Sequence, residues 1–550
     1  MKNWIAALGL ALPLACKSSP PSAPPPTAPT VPIYPGFGGY HRHVSTESDE
    51  AQHYFDQGLQ LLYGFNHDEA IRSFRQAAAF DPHCAMAHWG IAYASGLHIN
   101  NTRMSEAKSS EAFEAAEEAL RHLASASPVE AALVRAVAAR YAWPVPADRK
   151  PLDQAYADAM GETWRAHSYD PDVGALYAEA LMDLQPWDYW THEGEPKGRI
   201  EEIVATLERV IEMRSDHPGA NHFYIHAVEA SKEPGRAVEA ADRLGGLVPG
   251  SGHLVHMPSH VYIRLGRYSD AADTNARAIE VDRQYFELAP PPDFYSLYFV
   301  HNIHFLAFAA MMEGRYATAL EAARTLERDI PEAFVRAYPQ FADGFLPTAL
   351  HMLVRFGKWQ EILEEREPPE FRKLSRAALR YGRGVALANL RKPAEARAEL
   401  ATFDELAAEV PQDWVVGNNP AHVILPLARA MLEGEILYRE GKLEEAFAAL
   451  RDGVRREDEL VYDEPPGWMQ PVRHALGALL LAAGRPAEGE TIYREDLERN
   501  PGNGWSLLGL ELSLRRQDKA HDEADALAAA RAVAWGRSDV EPTSSCYCAP

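Results

Sequence analysis

Cysteine is scarce, four in 550 residues, which is too few for a disulfide scaffold. Basic residues are outnumbered: 54 Lys+Arg stand against 79 Asp+Glu, a net charge of −25 with the 22 His neutral. So acidic a chain lacks the basic footprint that phosphate backbones need, and no nucleic-acid partner is expected. Strand patterning is sparse. The sequence has no Gly-rich phosphate loop, Gly-x-Ser-x-Gly elbow, Cys–His nucleophile arrangement or haem-attaching Cys-x-x-Cys-His. These absences weigh against an enzyme, except a metal-dependent one. What is present is a 47% apolar fraction, which excludes global disorder. A single core rarely grows past roughly 250–300 residues, so the chain is either several domains or one elongated array.

The N-terminus reads as an export signal over residues 1–15. Lys2 gives the positive start, and Trp4 to Ala15 is an apolar stretch too short for a comfortable membrane span. The segment ends Leu12-Pro13-Leu14-Ala15-Cys16, which resembles the bacterial lipoprotein signal, although Pro13 stands where Leu is usual. The resemblance implies lipidation at Cys16 and a membrane-anchored lipoprotein of the bacterial cell envelope, periplasmic or surface-facing. A Pro-rich linker comes next (16–45); eight prolines in residues 17–35 favour an extended tether. At the other end, 538–550 reads as a loose tail carrying Cys546 and Cys548. Cys84 is expected to be buried and inert.

Between these ends the periodicity is helical, punctuated by Gly or Pro. Tyr54, Gly58, Leu61, Ala70, Phe74, Ala77 and Pro82 fall at positions 4, 8, 11, 20, 24, 27 and 32 of a unit. Leu476, Gly477, Leu480, Tyr493 and Pro501 fit another, and Trp505, Leu508, Gly509 and Leu512 open the next. A turn marker recurs at Gly266, Gly314, Gly357, Gly441 and Gly484, each ending the first helix of a pair. The pattern resembles the 34-residue tetratricopeptide repeat, in about nine or ten units. The chain also resembles bacterial tetratricopeptide lipoproteins. The resemblance implies an all-α fold, an α-solenoid of helix–turn–helix repeats forming a right-handed superhelix with a concave groove. Repeats are expected over 46–217, 218–366 (the His-rich centre) and 367–537. The family resemblance also implies a peptide or protein ligand in the groove. It implies no chemistry.

Aligning the central units by their turn markers brings histidines into register. Position 5 holds His222, His256 and His304; position 9 holds His226, His260 and His351; position 2 holds His253 and His301. Positions 2, 5 and 9 share one helical stripe. In tetratricopeptide proteins that stripe faces the groove. His at i and i+4 can present both imidazoles to one ion, and Glu229 extends the same face as a candidate oxygen ligand. The candidate metal ligands are therefore His222, His226, His253, His256, His260, His301, His304 and Glu229. Imidazole and carboxylate suit zinc, iron, copper or nickel rather than magnesium or calcium. So many His point to two ions, or to one with spare imidazoles for acid–base work.

Arg264 and Arg355 share position 13 and together could grip a carboxylate or phosphate. His351 and Asn302 complete the candidate ligand-binding set, with Tyr262 a supporting donor. The stretches Trp187–His192, 286–297 and Asp463–Trp468 interrupt the repeats and are candidate covers for the groove. Three functions remain open: an exported scaffold holding a transition metal, a metal-dependent hydrolase or oxidase in the same groove, and an interaction module without metal.

Overall fold

The computed structural model describes residues 31–289 and 294–549. The export segment and Cys16 lie outside the described residues, as do Pro290 to Asp293 of the Pro-rich insertion. The described chain is an all-α solenoid of tetratricopeptide-like helical hairpins. Its only strands among the described residues are the two-residue pair Val415–Val416 and Asn419–Pro420. No described helix is long and apolar enough to cross a membrane.

The hairpins form for local reasons. Ser48 caps the helix Asp49–Tyr63 by accepting from the Ala51 N–H, and Asn66 caps His67–Phe80 by accepting from the Glu69 N–H. Gly58 lets that pair close, because a Cβ there would meet the Phe74 ring at 2.7 Å. All five expected turn glycines have φ between 66° and 81°. In each turn the next residue donates its N–H back across the turn, as Arg267 does to the Tyr262 carbonyl at 2.8 Å. The first hairpin breaks this rule. Phe65 holds the left-handed position with φ 56°, where a side chain is costly.

Both ends of the chain fold onto its middle. Residues 31–45, expected as linker, are part of the body: Tyr34, Tyr40 and Val44 are buried. Arg42 pairs with Asp170 and Asp172 at 2.8 and 2.7 Å. Tyrosines and an arginine with waiting partners anchor what proline alone would leave extended. The C-terminus is docked too, not loose. Asp539 accepts the N–H groups of Tyr316 and Ala317 at 2.6 and 2.9 Å, capping the helix Tyr316–Asp329 from a distance. Cys546 and Cys548 are buried and joined as a disulfide, while Cys84 is buried and free, as expected.

The helix Gly504–Arg516 returns to the centre of the chain. Trp505 donates to the Met311 carbonyl at 3.1 Å, and a Cβ on Gly266 would strike the Pro501 carbonyl oxygen at 2.3 Å. The His stripe is met by distant parts of the chain: the Phe65 ring centroid lies 4.5 Å from that of His222, and Glu464 Oε2 lies 2.9 Å from His260 Nδ1.

Candidate metal centre

Four helices carry the imidazoles. His222 and His226 lie on Pro218–Val228, and His253 and His256 on Gly252–His256. His260 lies on Pro258–Arg264, directly after it, and His301 on Ser296–Met312. The i, i+4 spacing puts His222 beside His226 and His256 beside His260. Packing of consecutive repeats then stacks the pairs. His222, His226, His253, His256 and His260 are all at most 3% exposed; His301 is partly buried.

The rings form two groups of three. Donor atoms of His222, His226 and His253 lie within 4.8 Å of one another, as do those of His256, His260 and His301. Across the first group, His253 Nε2 is 3.2 Å from His222 Nε2. Across the second, His256 Nε2 is 2.8 Å from His260 Nε2. Nitrogens bound to one ion at about 2.0–2.1 Å sit about 3 Å apart, so both spacings suit shared ligation.

The outer edges of the rings decide which nitrogen carries a proton. His222 Nδ1 lies 2.7 Å from the Tyr63 carbonyl, which can only accept. Nδ1 is therefore the donor and Nε2 carries a bare lone pair. His256 Nδ1 lies 2.7 Å from Asn275 Oδ1, and the Asn275 amide nitrogen is committed to the Ala271 carbonyl at 2.8 Å. His256 Nε2 is bare in turn. His226 donates from Nδ1 to Glu229 Oε1 at 3.0 Å, and its Nε2 has no hydrogen-bond partner among the described residues. Three buried lone pairs are thus fixed by carbonyl, amide and carboxylate partners, the arrangement with which proteins orient metal-ligating histidines.

Glu229 keeps its place as a candidate ligand, since its carboxylate forms a third group with His226 and His260 whose ligand atoms lie within 4.8 Å of one another. Its Oε1 holds His226 Nδ1, and its Oε2 stands 2.8 Å from His260 Nδ1. It joins the two groups through the edges of the rings opposite Nε2. Glu464 Oε2 stands 2.9 Å from the same His260 Nδ1.

These contacts set the charges. Burial, then the neighbouring imidazoles, push His222, His253, His256 and His301 well below 6.5. Burial also lowers His226, against the pull of Glu229. Burial opposes charge on His260, but Glu229 and Glu464 outweigh it and raise the ring to about 10. Burial would raise Glu229, yet His260 and His226 hold it well below the usual carboxylate range. Glu464 is pushed up to about 7 by burial, against His260.

The other expected residues lie apart. His304 packs on Phe345 with ring centroids 5.3 Å apart, and His351 on Trp468 at 5.0 Å. Asn302 donates to Asp282 at 2.8 Å, and Tyr262 donates to Asp242 at 2.7 Å. Arg264 and Arg355 do not converge on one ligand position. Arg264 donates to the Glu229 carbonyl at 2.6 Å. Buried Arg355 lies over the Trp505 ring and donates to the Ser545 carbonyl at 3.0 Å. The docked tail therefore consumes the position-13 arginine that the repeat register offered to a ligand.

Two of the interrupting stretches wall a cleft beside the centre. It holds about 630 Å³ and is lined in part by Trp187, Trp190, Arg264, Tyr268, Glu464 and Trp468. Trp190 is pinned by its indole N–H to the Ala227 carbonyl at 2.8 Å. The Trp187 ring stands edge-on to His226 at 5.2 Å. Glu464 thus faces the cleft and His260 at once.

No family model and no curated protein matches the sequence. Among solved structures, human IFIT1 in complex with PPP-AAAA is similar at 12% identity and TM-score 0.32, over 89% of this chain and 95% of that one. Yeast Tom70 is similar at 11% identity and TM-score 0.28, over 90% and 91%. The Cut9–Hcn1 assembly is similar at 13% identity and TM-score 0.30, over 88% and 78%. These likenesses are too loose to carry an argument about function.

Proposed function

We propose that this chain is a metal-dependent enzyme, a hydrolase or an oxidase, built on a tetratricopeptide-like scaffold. Its centre holds two neighbouring transition-metal ions, zinc, iron or copper, each on three imidazoles: His222, His226 and His253 for one, His256, His260 and His301 for the other. The observation that carries the reading is the convergence of unprotonated Nε2 atoms on buried His222, His226 and His256, of which His226 Nε2 has no hydrogen-bond partner among the described residues. A buried lone pair without a donor is costly, and a cation satisfies it. Neutral imidazoles are also the metal-binding form.

Catalysis is favoured over a purely structural role because three protein donors leave a coordination position open. Bound ions would supply Lewis acidity, or electron transfer for iron and copper. The chain's own part is legible in Glu464, whose carboxyl, near 7, can hold or release a proton between cleft and centre. The cleft volume suits a small molecule or the end of a peptide. Export and lipid attachment at Cys16 belong to the same proposal and rest on the sequence of the signal segment. Mass spectrometry of the membrane fraction should find an acylated N-terminal Cys16, and Cys16→Ser should release the protein.

The test of the centre is metal content in full-length protein without an affinity tag. Wild type offered zinc, iron and copper should hold about two ions of one metal per chain. His226→Ala and His256→Ala should each hold about one. Less than about a tenth of an ion per wild-type chain rejects the proposal.

A further inference from the structure

A second cluster of metal-ligating side chains lies on the N-terminal hairpins, among residues that take no part in the centre described above. It joins three segments. His88 is on the helix Ala85–Ala94, Glu118 is on Glu106–Arg121, and His122 is the residue that ends that helix. His83 stands in the turn before Ala85. Donor atoms of His88, Glu118 and His122 lie within 4.8 Å of one another, and all three side chains are partly buried.

The protons here obey the same logic as in the interior. His88 Nε2 lies 3.0 Å from the Pro82 carbonyl, which can only accept. Nε2 therefore carries the proton and Nδ1 is bare. Burial lowers the basicity of His88. His122 Nδ1 lies 3.4 Å from His83 Nδ1, while His122 Nε2 lies 2.9 Å from Glu118 Oε1. An imidazole nitrogen that close to a carboxylate oxygen needs a proton or a metal ion between them. Arg121 occupies the other oxygen, Oε2, at 2.5 Å, so Oε1 is the one offered.

We infer that His88, Glu118 and His122 form a separate divalent transition-metal site, with His83 positioning His122 from behind. Two imidazoles and one carboxylate suit zinc best among the abundant ions, with water completing the coordination. The ion ties the turn at His83 and the helix Ala85–Ala94 to the end of Glu106–Arg121. Unlike the interior centre, the site is open to solvent, so its ion exchanges within the time of a dialysis.

The experiment is a zinc titration of full-length, tag-free protein by calorimetry, with zinc chloride as the probe. His122→Ala and Glu118→Gln are the variants; both residues are partly exposed, and circular dichroism in chelator checks their fold. Wild type should bind one more zinc per chain than either variant, with a dissociation constant below about 10 µM. Zinc should also raise the melting temperature of wild type more than that of the variants. Equal stoichiometry in wild type and variants overturns the inference, as does a difference visible only above about 1 mM zinc. The readout is independent of the interior centre, because His226→Ala and His256→Ala leave this difference of one zinc unchanged even if the interior binds nothing.

Discussion

His256 Nε2 and His260 Nε2 lie 2.8 Å apart with the His256 nitrogen bare, so something positive stands between them. Without metal it is the proton of His260, whose ring is held charged by Glu229 and Glu464. A metal ion must displace that proton. Metal binding should therefore release about one proton per chain near pH 7.5, and affinity at that group should rise about tenfold per pH unit. Calorimetry in buffers of different ionisation enthalpy measures the number. Binding without proton release would mean that the ion does not use His260.

Glu229 and Asn275 orient the rings unequally. Glu229 contacts His226 in one group and His260 in the other, whereas Asn275 contacts His256 alone. Glu229→Gln should weaken both ions by about 10–100-fold, and Asn275→Leu should weaken one. Competition with a chromophoric chelator resolves the two equivalents.

The centre should make the metal-free protein acid-sensitive. Below pH 6.5 an unfolded chain protonates its histidines, while buried His222, His253 and His256 stay neutral in the fold. The unfolded state then binds more protons, and stability falls as pH drops. Each such group contributes up to about 1.4 kcal/mol per pH unit. His260 does not offset this below pH 6.5, because it is charged in both states there; its own contribution is lost progressively as pH rises from about 6.5 to about 10. Glu229, held low, loses its contribution as pH falls below the ordinary carboxylate range. Denaturant midpoints from pH 6.5 to 5.5 should fall steadily in the metal-free protein, and less steeply in His222→Leu.

Phe65 trades backbone strain for a place in the centre. Its ring centroid lies 4.5 Å from that of His222 and 4.6 Å from that of His98. Phe65→Gly relieves the left-handed backbone, worth about 1–2 kcal/mol, but empties a buried aromatic position, costing about 3–5 kcal/mol. The variant should be destabilised by about 1–4 kcal/mol in denaturant unfolding and should lose metal faster to a chelator.

The helical array was readable because its signals are local. The turn glycines, Gly58 against Phe74 and the small residues at fixed offsets all act within one hairpin. The pairs His222–His226 and His256–His260 were readable for the same reason. Sequence spacing could not show what closes over them. Tyr63 and Phe65 arrive from the first hairpin and Glu464 from a late loop, through contacts spanning much of the chain. Glu229 kept to its helical stripe, but its role depends on which edge of each ring it meets. Arg355 also kept its repeat register, and only the docking of the tail at Ser545 shows why it reaches no ligand.

X-ray absorption at the metal edge of full-length, tag-free protein tests the central claim most directly. Each ion should show about three imidazole nitrogens near 2.0 Å, with one further light atom and no sulfur. A spectrum dominated by carboxylate oxygen or sulfur ligands, or no bound metal to measure, would contradict the account.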